Sequence, residues 1–358
     1  MEKLSSEFSS FTKNLVGIES TMAKLIPLYL GFGNRVYMLG ICGMGGLGKT
    51  TLARTIYYRY SKYFEGSSFI LNVRERSKEG SLLEFQQQLL DQILGESDTK
   101  IWDVYHGVDT IKRRLCQKKV LLVLDDVNQM GQLQKLAGED GWFGLGSWII
   151  ITTRDKQVLV GHRVHQIYEL NGLNNYDASK LFCLHAFKME LPKKDYMQLS
   201  KKVLEYAKGL PLALVTLGSF LVERRIDEWQ SALNNFKKTE GGIFGILKIS
   251  YDGLEEIWKE IFLDIACFFG RRKKDEVIQI LKNCGFDATI VISVLVERYL
   301  LTMDDNECLG MHDLLIEMGQ KIILFESGRN LGKHSRLWLI EDLLHVLEND
   351  MVRKMTKL

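Results

Sequence analysis

Short apolar segments alternate with segments of helical spacing between about residue 35 and residue 170. The apolar segments are Val36–Cys42, Ser68–Val73, Val120–Leu124, Ser147–Thr152 and His165–Tyr168. The segments of helical spacing are Thr50–Tyr60, Leu82–Leu94, Val108–Cys116 and Gln129–Leu136. This alternation predicts a parallel sheet with helices on both of its faces. The stretch KKVLLVLDDV is the clearest strand, because its apolar run is continuous, as burial on both faces requires.

The chain after residue 170 is predicted to be mainly helical. Four helices are expected first, at Asp177–His185, Asp195–Ala207, Pro211–Val222 and Asp227–Lys237. Their short connections favour a small four-helix bundle, with Asp177, Asp195 and Asp227 as N-caps. Four more helices are expected at Ile243–Leu254, Ile257–Phe268, Asp275–Lys282 and Ala288–Val296. A hairpin in RYLLTMDDNECLGMHD and a helix from Asp313 then complete the pattern of a winged-helix domain.

Composition narrows the class of protein. A chain of 358 residues exceeds one ordinary core and indicates two or three domains. The net charge of +2 gives no argument for binding nucleic acid or an anionic membrane. The six cysteines include no C-x-x-C pair, so no zinc site is predicted. The longest uncharged apolar stretch, Leu210–Val222, is shorter than the roughly 20 residues of a membrane span. We therefore expect a soluble, cytoplasmic protein, and a nuclear pool is compatible with the same pattern.

The stretch GMGGLGKTT, which follows the first apolar segment, matches the phosphate-loop pattern G-x-x-x-x-G-K-[ST]. Glycines let such a loop curl, so that its backbone N–H groups face phosphate oxygens at the start of the next helix. The candidate nucleotide-binding residues are Gly43, Gly45, Gly46, Leu47, Gly48, Lys49, Thr50 and Thr51. Lys49 would reach the β- and γ-phosphates, and the Thr50 hydroxyl would bind Mg²⁺. The alternative is a glycine-rich turn with an accidental lysine.

Acidic residues end the clearest strand, and an arginine ends the following one. Asp125 is the candidate metal residue, through water, and Asp126 is the candidate to position or deprotonate an attacking water. Asp126 could also simply cap the next turn. Arg154 ends the segment IIITTRD, at the strand end where ligands bind in parallel sheets, and could contact the γ-phosphate. A surface salt bridge is the alternative for Arg154.

The order of these motifs resembles the NB-ARC module of plant intracellular immune receptors, which is shared with apoptotic ATPases. The resemblance runs from LVGIES at residue 15 to about residue 338, and includes GMGGLGKTT, KKVLLVLDDV, GSWIIITTRD, GLPLAL, FLDIACFF and MHD. Asn128 and FLDIACFF look like the branch whose full-length members begin with a TIR domain. The family usually carries arginine in place of Trp148, so we expect altered surface contacts there.

The resemblance implies roles for residues that their local patterns do not single out. Val16 and Gly17 would lie against the adenine, and Pro211 would close the other side of the nucleotide. His312 would contact the β-phosphate of ADP. The resemblance also implies an ADP-bound resting form, and an ATP-bound form that oligomerises with itself or related receptors and engages immune signalling proteins. Without the resemblance, Pro211 is a helix-start proline, His312 an ordinary histidine and Asp313 an N-cap.

These patterns together predict an α/β P-loop NTPase domain with a parallel sheet, followed by a four-helix bundle and a winged-helix domain. The predicted boundaries are 1–14 for a linker, 15–170 for the nucleotide-binding domain, 171–240 for the helical ARC1 domain, 241–326 for the winged-helix ARC2 domain and 327–358 for a tail. We expect no TIR domain and no leucine-rich repeats in this chain, and hence no NAD-cleaving activity.

Three functions stay open on the sequence alone. The first is a nucleotide switch of plant immunity that holds ADP or ATP with Mg²⁺ and turns over slowly or not at all. The second is a working P-loop ATPase that uses Asp126. The third is an ATP-gated winged-helix regulator that binds DNA, against which the near-neutral charge argues.

Overall fold

The computed structural model describes residues 15–29, 33–77, 82–95, 99–236, 242–298, 300–304, 306–327 and 334–348. The predicted linker at 1–14 lies outside these residues. The chain divides into two units, Met1–Leu173 and Asn174–Leu358. The finer division of the second unit into two domains stays a prediction.

Five parallel strands form the sheet of the first unit. They are β1 (Tyr37–Cys42), β2 (Gly66–Ile70), β3 (Val120–Val127), β4 (Trp148–Thr153) and β5 (Gln166–Glu169). Their order across the sheet is β2-β3-β4-β1-β5, and every paired register is parallel. The predicted parallel sheet is confirmed. β2 ends three residues before the predicted Val73, because Asn72 adopts a left-handed backbone (φ 53°) that stops the extended chain.

Helices cover both faces of this sheet. They are α1 (Ile18–Tyr29), α2 (Lys49–Tyr60), α3 (Val73–Arg76), α4 (Leu82–Leu94), α5 (Val104–Leu115), α6 (Met130–Leu136) and α7 (Lys156–Gly161). β3 is buried throughout, with Leu122 and Leu124 in one core and Leu121 and Val123 in the other. This alternation confirms a strand buried on both faces.

Two local predictions in the first unit are wrong. α5 begins four residues before the predicted Val108, because the Asp103 carboxylate caps it by accepting from the backbone N–H groups of Tyr105 and His106. Trp148, which we expected to alter surface contacts, is completely buried. Its indole packs against the ring of Tyr60 and the ring of Phe64, so it contributes to the core beneath α2.

The second unit begins with four helices, α8 (Asn175–Phe187), α9 (Met197–Ala207), α10 (Pro211–Leu221) and α11 (Ile226–Phe236). The Trp229 indole of α11 is buried and packs on the rings of Phe182 and Phe187 from α8 and of Tyr196 just before α9. The helices lie where they were predicted, and the bundle as an architecture stays a prediction.

The three aspartates predicted as N-caps lie inside helices instead. Asn174 caps α8 by accepting from the Asp177 backbone N–H at 2.9 Å. Asp195 lies in the 3₁₀ helix Lys194–Tyr196, and Asp227 is the second residue of α11. An acidic side chain in a first turn interacts favourably with the helix dipole, which explains why the same residue type marks both positions.

The remaining elements are helices and a two-stranded hairpin, the set of elements that was predicted for a winged-helix domain. They are α12 (Gly242–Asp252), α13 (Glu256–Phe268), α14 (Lys274–Asn283), α15 (Ala288–Glu297), β6 (Thr302–Met303), β7 (Leu309–Gly310), α16 (Asp313–Ser327) and α17 (Ile340–Glu348). β6 and β7 form the predicted antiparallel hairpin. Arg336, which is buried and follows α16, is anchored to α13 by ion pairs to Glu260 at 2.7 Å and Asp264 at 2.6 Å. Within the described part of the chain, no helix is long and apolar enough to cross a membrane.

Candidate functional site

The loop between β1 and α2 has the backbone that the glycine pattern predicts. Gly43, Gly46 and Gly48 have φ values of 151°, 79° and 91°, which side chains rarely allow. A Cβ on Gly43 would lie 2.8 Å from the Leu170 carbonyl oxygen and 2.9 Å from the Leu47 side chain. Gly48 precedes α2 without a side-chain cap, so no side chain competes for the first-turn N–H groups. Such a helix start is suited to receive an anion.

Lys49 lies folded over the same loop. Its Nζ donates to the carbonyl oxygens of Gly43 and Met44, both at 2.8 Å, and the residue is only 7% exposed. Burial, the largest cause, and the charge of Arg154 lower the pKa of Lys49, Asp126 and Asp125 oppose the shift, and the net result is a pKa of about 8. The ammonium is thus held at the loop with less charge stabilisation than it would have in water.

Asp125 forms a buried junction between the phosphate-loop helix and two strands. Its Oδ1 accepts from the Thr50 hydroxyl at 2.8 Å and from the Thr152 hydroxyl at 2.7 Å. Its Oδ2 is buried and has no hydrogen-bond partner among the described residues. Burial raises the pKa of Asp125, although both hydroxyls and the Asn72 backbone N–H lower it.

Asp125 and Thr50 have the chemistry of a magnesium site. Mg²⁺ in nucleotide sites is bound by one or two protein oxygens together with waters and phosphate oxygens, so a dense protein cluster is not required. Within the described residues, no group of three or more His, Cys, Asp and Glu could hold a metal ion. A buried carboxylate oxygen without a donor, beside a threonine hydroxyl, therefore fits a cation shared with phosphates.

The Asp126 side chain is directed differently from that of Asp125 because of an irregularity in β3. The pairing of β3 with β4 shifts register between Leu124 and Val127, and Asp126 has φ 54°, a left-handed value. Its backbone N–H donates to the Thr152 hydroxyl at 2.9 Å. Strain of this kind is concentrated at functional sites, where the surrounding structure over-determines it.

Two arginines contact the Asp126 carboxylate. Arg74 Nε donates to Oδ2 at 2.8 Å, and Arg154 Nε lies 3.6 Å from Oδ1. Arg154 thus lies at the predicted strand end, where it contacts a carboxylate of the site, and its contact with a γ-phosphate stays a prediction. The suggested role of Asp126 in activating water stays a prediction.

Val16 and Gly17 lie at the start of α1. Gly17, with φ 78°, accepts at its carbonyl oxygen from the Ser20 hydroxyl at 3.0 Å and the Thr21 hydroxyl at 2.9 Å. These contacts fix the backbone at the beginning of α1, while Val16 remains half-buried. Contact with an adenine stays a prediction for both residues.

Pro211 and His312 belong to the second unit. Pro211 is the first residue of α10, directly after a turn in which Lys208 and Gly209 have positive φ values of 48° and 71°. The His312 Nδ1 accepts from the Leu314 backbone N–H at 3.1 Å, and its carbonyl oxygen accepts from the Leu315 N–H at 2.7 Å. His312 therefore caps α16, a role that the isolated sequence assigned to Asp313.

Sequence reasoning missed two residues of the site in the first unit. Thr152 hydrogen-bonds both Asp125 and the Asp126 backbone, and its polarity at the end of an apolar strand was a usable signal. Arg74 lies in the charged stretch NVRERS, where nothing local distinguishes it from a solvated surface residue. Its partner is 52 residues away, so only the fold brings the two together.

Two protein families match parts of this chain. The NB-ARC domain family matches residues 19–192, and the family described as the winged-helix domain of Roq1-like disease resistance proteins matches residues 255–327. A solved STAND protein (Signal Transduction ATPase with Numerous Domains) from Pyrococcus horikoshii, with a tetratricopeptide repeat sensor, superposes with a TM-score of 0.51. It is 15% identical, and the alignment covers 94% of this chain and 46% of that one, so the likeness shows the fold.

The similar curated proteins are plant disease resistance proteins. Disease resistance protein RUN1 of Vitis rotundifolia is 44% identical, over 91% of this chain and 24% of that protein. TMV resistance protein N of Nicotiana glutinosa is 39% identical, over 95% of this chain and 30% of that protein. The chain thus spans less than a third of the length of these relatives. It belongs to the NB-ARC family and corresponds to the nucleotide-binding and winged-helix part of plant disease resistance proteins.

Proposed function

We propose that this chain is the ADP/ATP switch of a plant intracellular immune receptor, with ADP in the resting form and ATP in the active form. The observation that carries the proposal is the phosphate loop, in which Lys49 lies over the loop and Thr50 bonds the buried Asp125. NB-ARC membership makes the ligand a nucleotide, and the relatives are disease resistance proteins.

The residues of the loop would divide the work of binding phosphates. Backbone N–H groups of Gly45–Thr51 would bind phosphate oxygens, and Lys49 would leave the Gly43 and Met44 carbonyls for the β- and γ-phosphates. Mg²⁺, when bound, would neutralise phosphate charge between the Thr50 hydroxyl and Asp125. Because the Asp125 Oδ2 has no donor among the described residues, a cation or a metal-bound water would satisfy it.

His312 would connect the nucleotide to the winged-helix domain. Because Nδ1 accepts from the Leu314 N–H, the proton of the neutral ring lies on Nε2, which is the atom that can donate to a β-phosphate oxygen. Val16 and Gly17 would lie against the adenine, and Pro211 would close the other side of the nucleotide. A nucleotide that contacts several domains can bias their arrangement only through contacts that differ between the ADP and ATP forms.

Further steps of the proposal concern the whole receptor. We place the protein in the cytoplasm, and we assign self-association or association with related receptors to the ATP-bound form. These steps rest on the resemblance and the curated relatives, of which this chain covers less than a third.

Nucleotide retained through purification tests the proposal directly. The protein is denatured, and released ADP and ATP are identified for the wild type, Lys49→Ala and His312→Ala. We expect ADP in the wild type, none in Lys49→Ala and reduced ADP in His312→Ala. A wild type that carries no nucleotide and takes up neither ADP nor ATP would contradict the central claim.

A second histidine variant separates the ligand role of His312 from its capping role. Asparagine is a good N-cap, so His312→Asn keeps a side-chain acceptor for α16 and removes the Nε2 donor. We expect His312→Asn to lose ADP as His312→Ala does, while unfolding at the same temperature as the wild type from which ADP has been removed. If His312→Asn retains ADP like the wild type, the histidine acts only as a cap.

Turnover separates a switch from a working ATPase. A switch predicts slow or no steady phosphate release by the purified protein. Steady release that Asp126→Asn abolishes would favour the ATPase instead, with Asp126 acting on the attacking water.

A further inference from the structure

Arg74 and Arg154 approach one carboxylate from two sides. β3 lies between β2 and β4 in the sheet, so the chain segments that follow these two strands flank the end of β3. Arg74 follows β2 and Arg154 follows β4, and both guanidinium groups contact Asp126. The two guanidinium groups therefore form a site for an anion, which the Asp126 carboxylate occupies.

This cluster lies next to the groups that hold phosphates. Asp126 directly follows Asp125, and Thr152 hydrogen-bonds the Asp125 side chain and the Asp126 backbone. Arg154 and Asp126 are near enough to Lys49 to change its pKa in opposite directions. The outermost phosphate of a nucleoside triphosphate lies on the metal side of a phosphate loop, which is the side of Asp125.

We propose that Arg74 determines the preference of the site for a nucleoside triphosphate over a diphosphate, by exchanging its contact with Asp126 for one with the terminal phosphate. The inference rests on the proposed function and adds a residue that the phosphate-loop pattern does not include. Asp126 acts as the competing anion: it holds Arg74 and Arg154 when no terminal phosphate is present. A nucleoside diphosphate has no terminal phosphate that Arg74 could contact, so the affinity for a diphosphate does not depend on Arg74.

A purely structural ion pair explains the arrangement less well. One arginine suffices to pair a carboxylate, whereas here two share it, at a residue with a left-handed backbone. The Arg74 side chain is 25% exposed and that of Arg154 23% exposed, so solvent and ligands reach both. Guanidinium is also the group whose planar donors best match phosphate oxygens.

The test compares dissociation constants for ADP and for a non-hydrolysable ATP analogue, both with Mg²⁺, in the wild type and Arg74→Met. We expect the affinity for the ATP analogue to fall about tenfold to a hundredfold, as the loss of a charge-assisted hydrogen bond predicts. The affinity for ADP is expected to stay within about twofold on the same scale. Arg76→Met is the matched control, because Arg76 lies on the same short helix and contacts Gln88 and the Phe85 ring.

A second variant tests the competing anion. Asp126→Asn removes the charge that holds Arg74, so affinity for the ATP analogue is expected to rise about tenfold. Because the analogue is not hydrolysed, a role in activating water does not predict this rise. The double variant with Arg74→Met should lose most of the gain, since the released arginine is then missing.

Each outcome decides between the two proposals. If the wild type binds both nucleotides through Lys49 and Arg74→Met lowers both affinities equally or neither, the inference on Arg74 falls and the nucleotide switch stands. If the wild type binds neither nucleotide, the proposed function falls and takes this inference with it. A selective loss of affinity for the ATP analogue in Arg74→Met, but not in Arg76→Met, supports both the nucleotide switch and the role of Arg74.

Discussion

Two clusters of arginines and carboxylates in this chain are opposites in composition. In the strand-end cluster of the first unit, Arg74 and Arg154 share the carboxylate of Asp126. In the α13 cluster of the second unit, Asp264 and Glu260 share the guanidinium of Arg336. The strand-end cluster is net positive, and the α13 cluster is net negative.

The surroundings of the two clusters differ as much as their charges. The Arg336 side chain is 7% exposed and anchors residues after α16 to α13. None of the three residues of the α13 cluster has a positive φ. Asp126, by contrast, sits at a register shift with φ 54°, beside a lysine whose pKa is lowered to about 8. The α13 cluster is built for stability. The strand-end cluster accepts backbone strain and an excess of positive charge, as groups that bind an anion do.

The largest expected effect comes from breaking the α13 cluster. Arg336→Met should lower the free energy of unfolding of the second unit by about 3 kcal/mol, because Asp264 and Glu260 lose their buried partner. Urea unfolding followed by circular dichroism measures this change. Arg225→Met is the control: Arg225 forms an exposed pair with Asp227, and the loss of such a pair should hardly change the free energy of unfolding. Equal losses in the two variants would remove the distinction between buried and exposed pairs.

Removing the Thr152 hydroxyl, which supports the backbone of the strand-end cluster, should have the next largest effect. Thr152→Val leaves Asp125 Oδ1 with one donor fewer and the Asp126 N–H without its acceptor, so we expect a loss of about 2 kcal/mol in the first unit. Thr152→Ser keeps the hydroxyl and should cost less than about 1 kcal/mol. Thermal unfolding of both variants, with and without ADP, gives the comparison; similar melting temperatures would argue against a supporting role for the hydroxyl.

Nucleotide binding by Lys49, beside the strand-end cluster, and the stability of the α13 cluster should respond differently to pH. Free Lys49 has a pKa of about 8, and bound phosphates would raise it, so the complex binds more protons than the free protein does. Nucleotide affinity should therefore be highest below pH 8 and fall as pH rises through 8, by about eightfold between pH 7.5 and pH 9. Titration calorimetry at the two pH values measures it. The α13 cluster relies on an arginine whose charge persists, so its contribution to stability should not change over that range.

The smallest expected effect concerns backbone strain beside Asp125. Asn72→Gly relieves the left-handed conformation at φ 53° and keeps the backbone N–H, so we expect a gain of about 0.5 kcal/mol in stability. Asn171→Gly, at a position without positive φ, should lose stability instead because glycine gains chain entropy on unfolding. Chemical unfolding of both variants checks the opposite signs.

Much of the fold could be predicted because its signals are local. Short apolar segments placed all five strands within about three residues of their observed ends, and the glycine pattern placed the phosphate loop with Lys49 and Thr50. The errors at Asp103, Asn174 and His312 share a cause. Each is a capping residue whose side chain accepts from a backbone N–H two or three positions along the chain. Neighbouring polar residues have acceptor groups too, so the sequence does not show which of them caps the helix.

The sequence by itself determined which groups could bind phosphates, because that chemistry depends on residues adjacent in the chain: glycines that allow positive φ, a lysine and a threonine at the start of a helix. Only the tertiary structure decided which charges surround them. Asp126 lies 52 residues after Arg74 and 28 residues before Arg154. The three become neighbours because β2, β3 and β4 are adjacent parallel strands that end at the same edge of the sheet. Contacts of that kind depend on strand order, which no local pattern specifies.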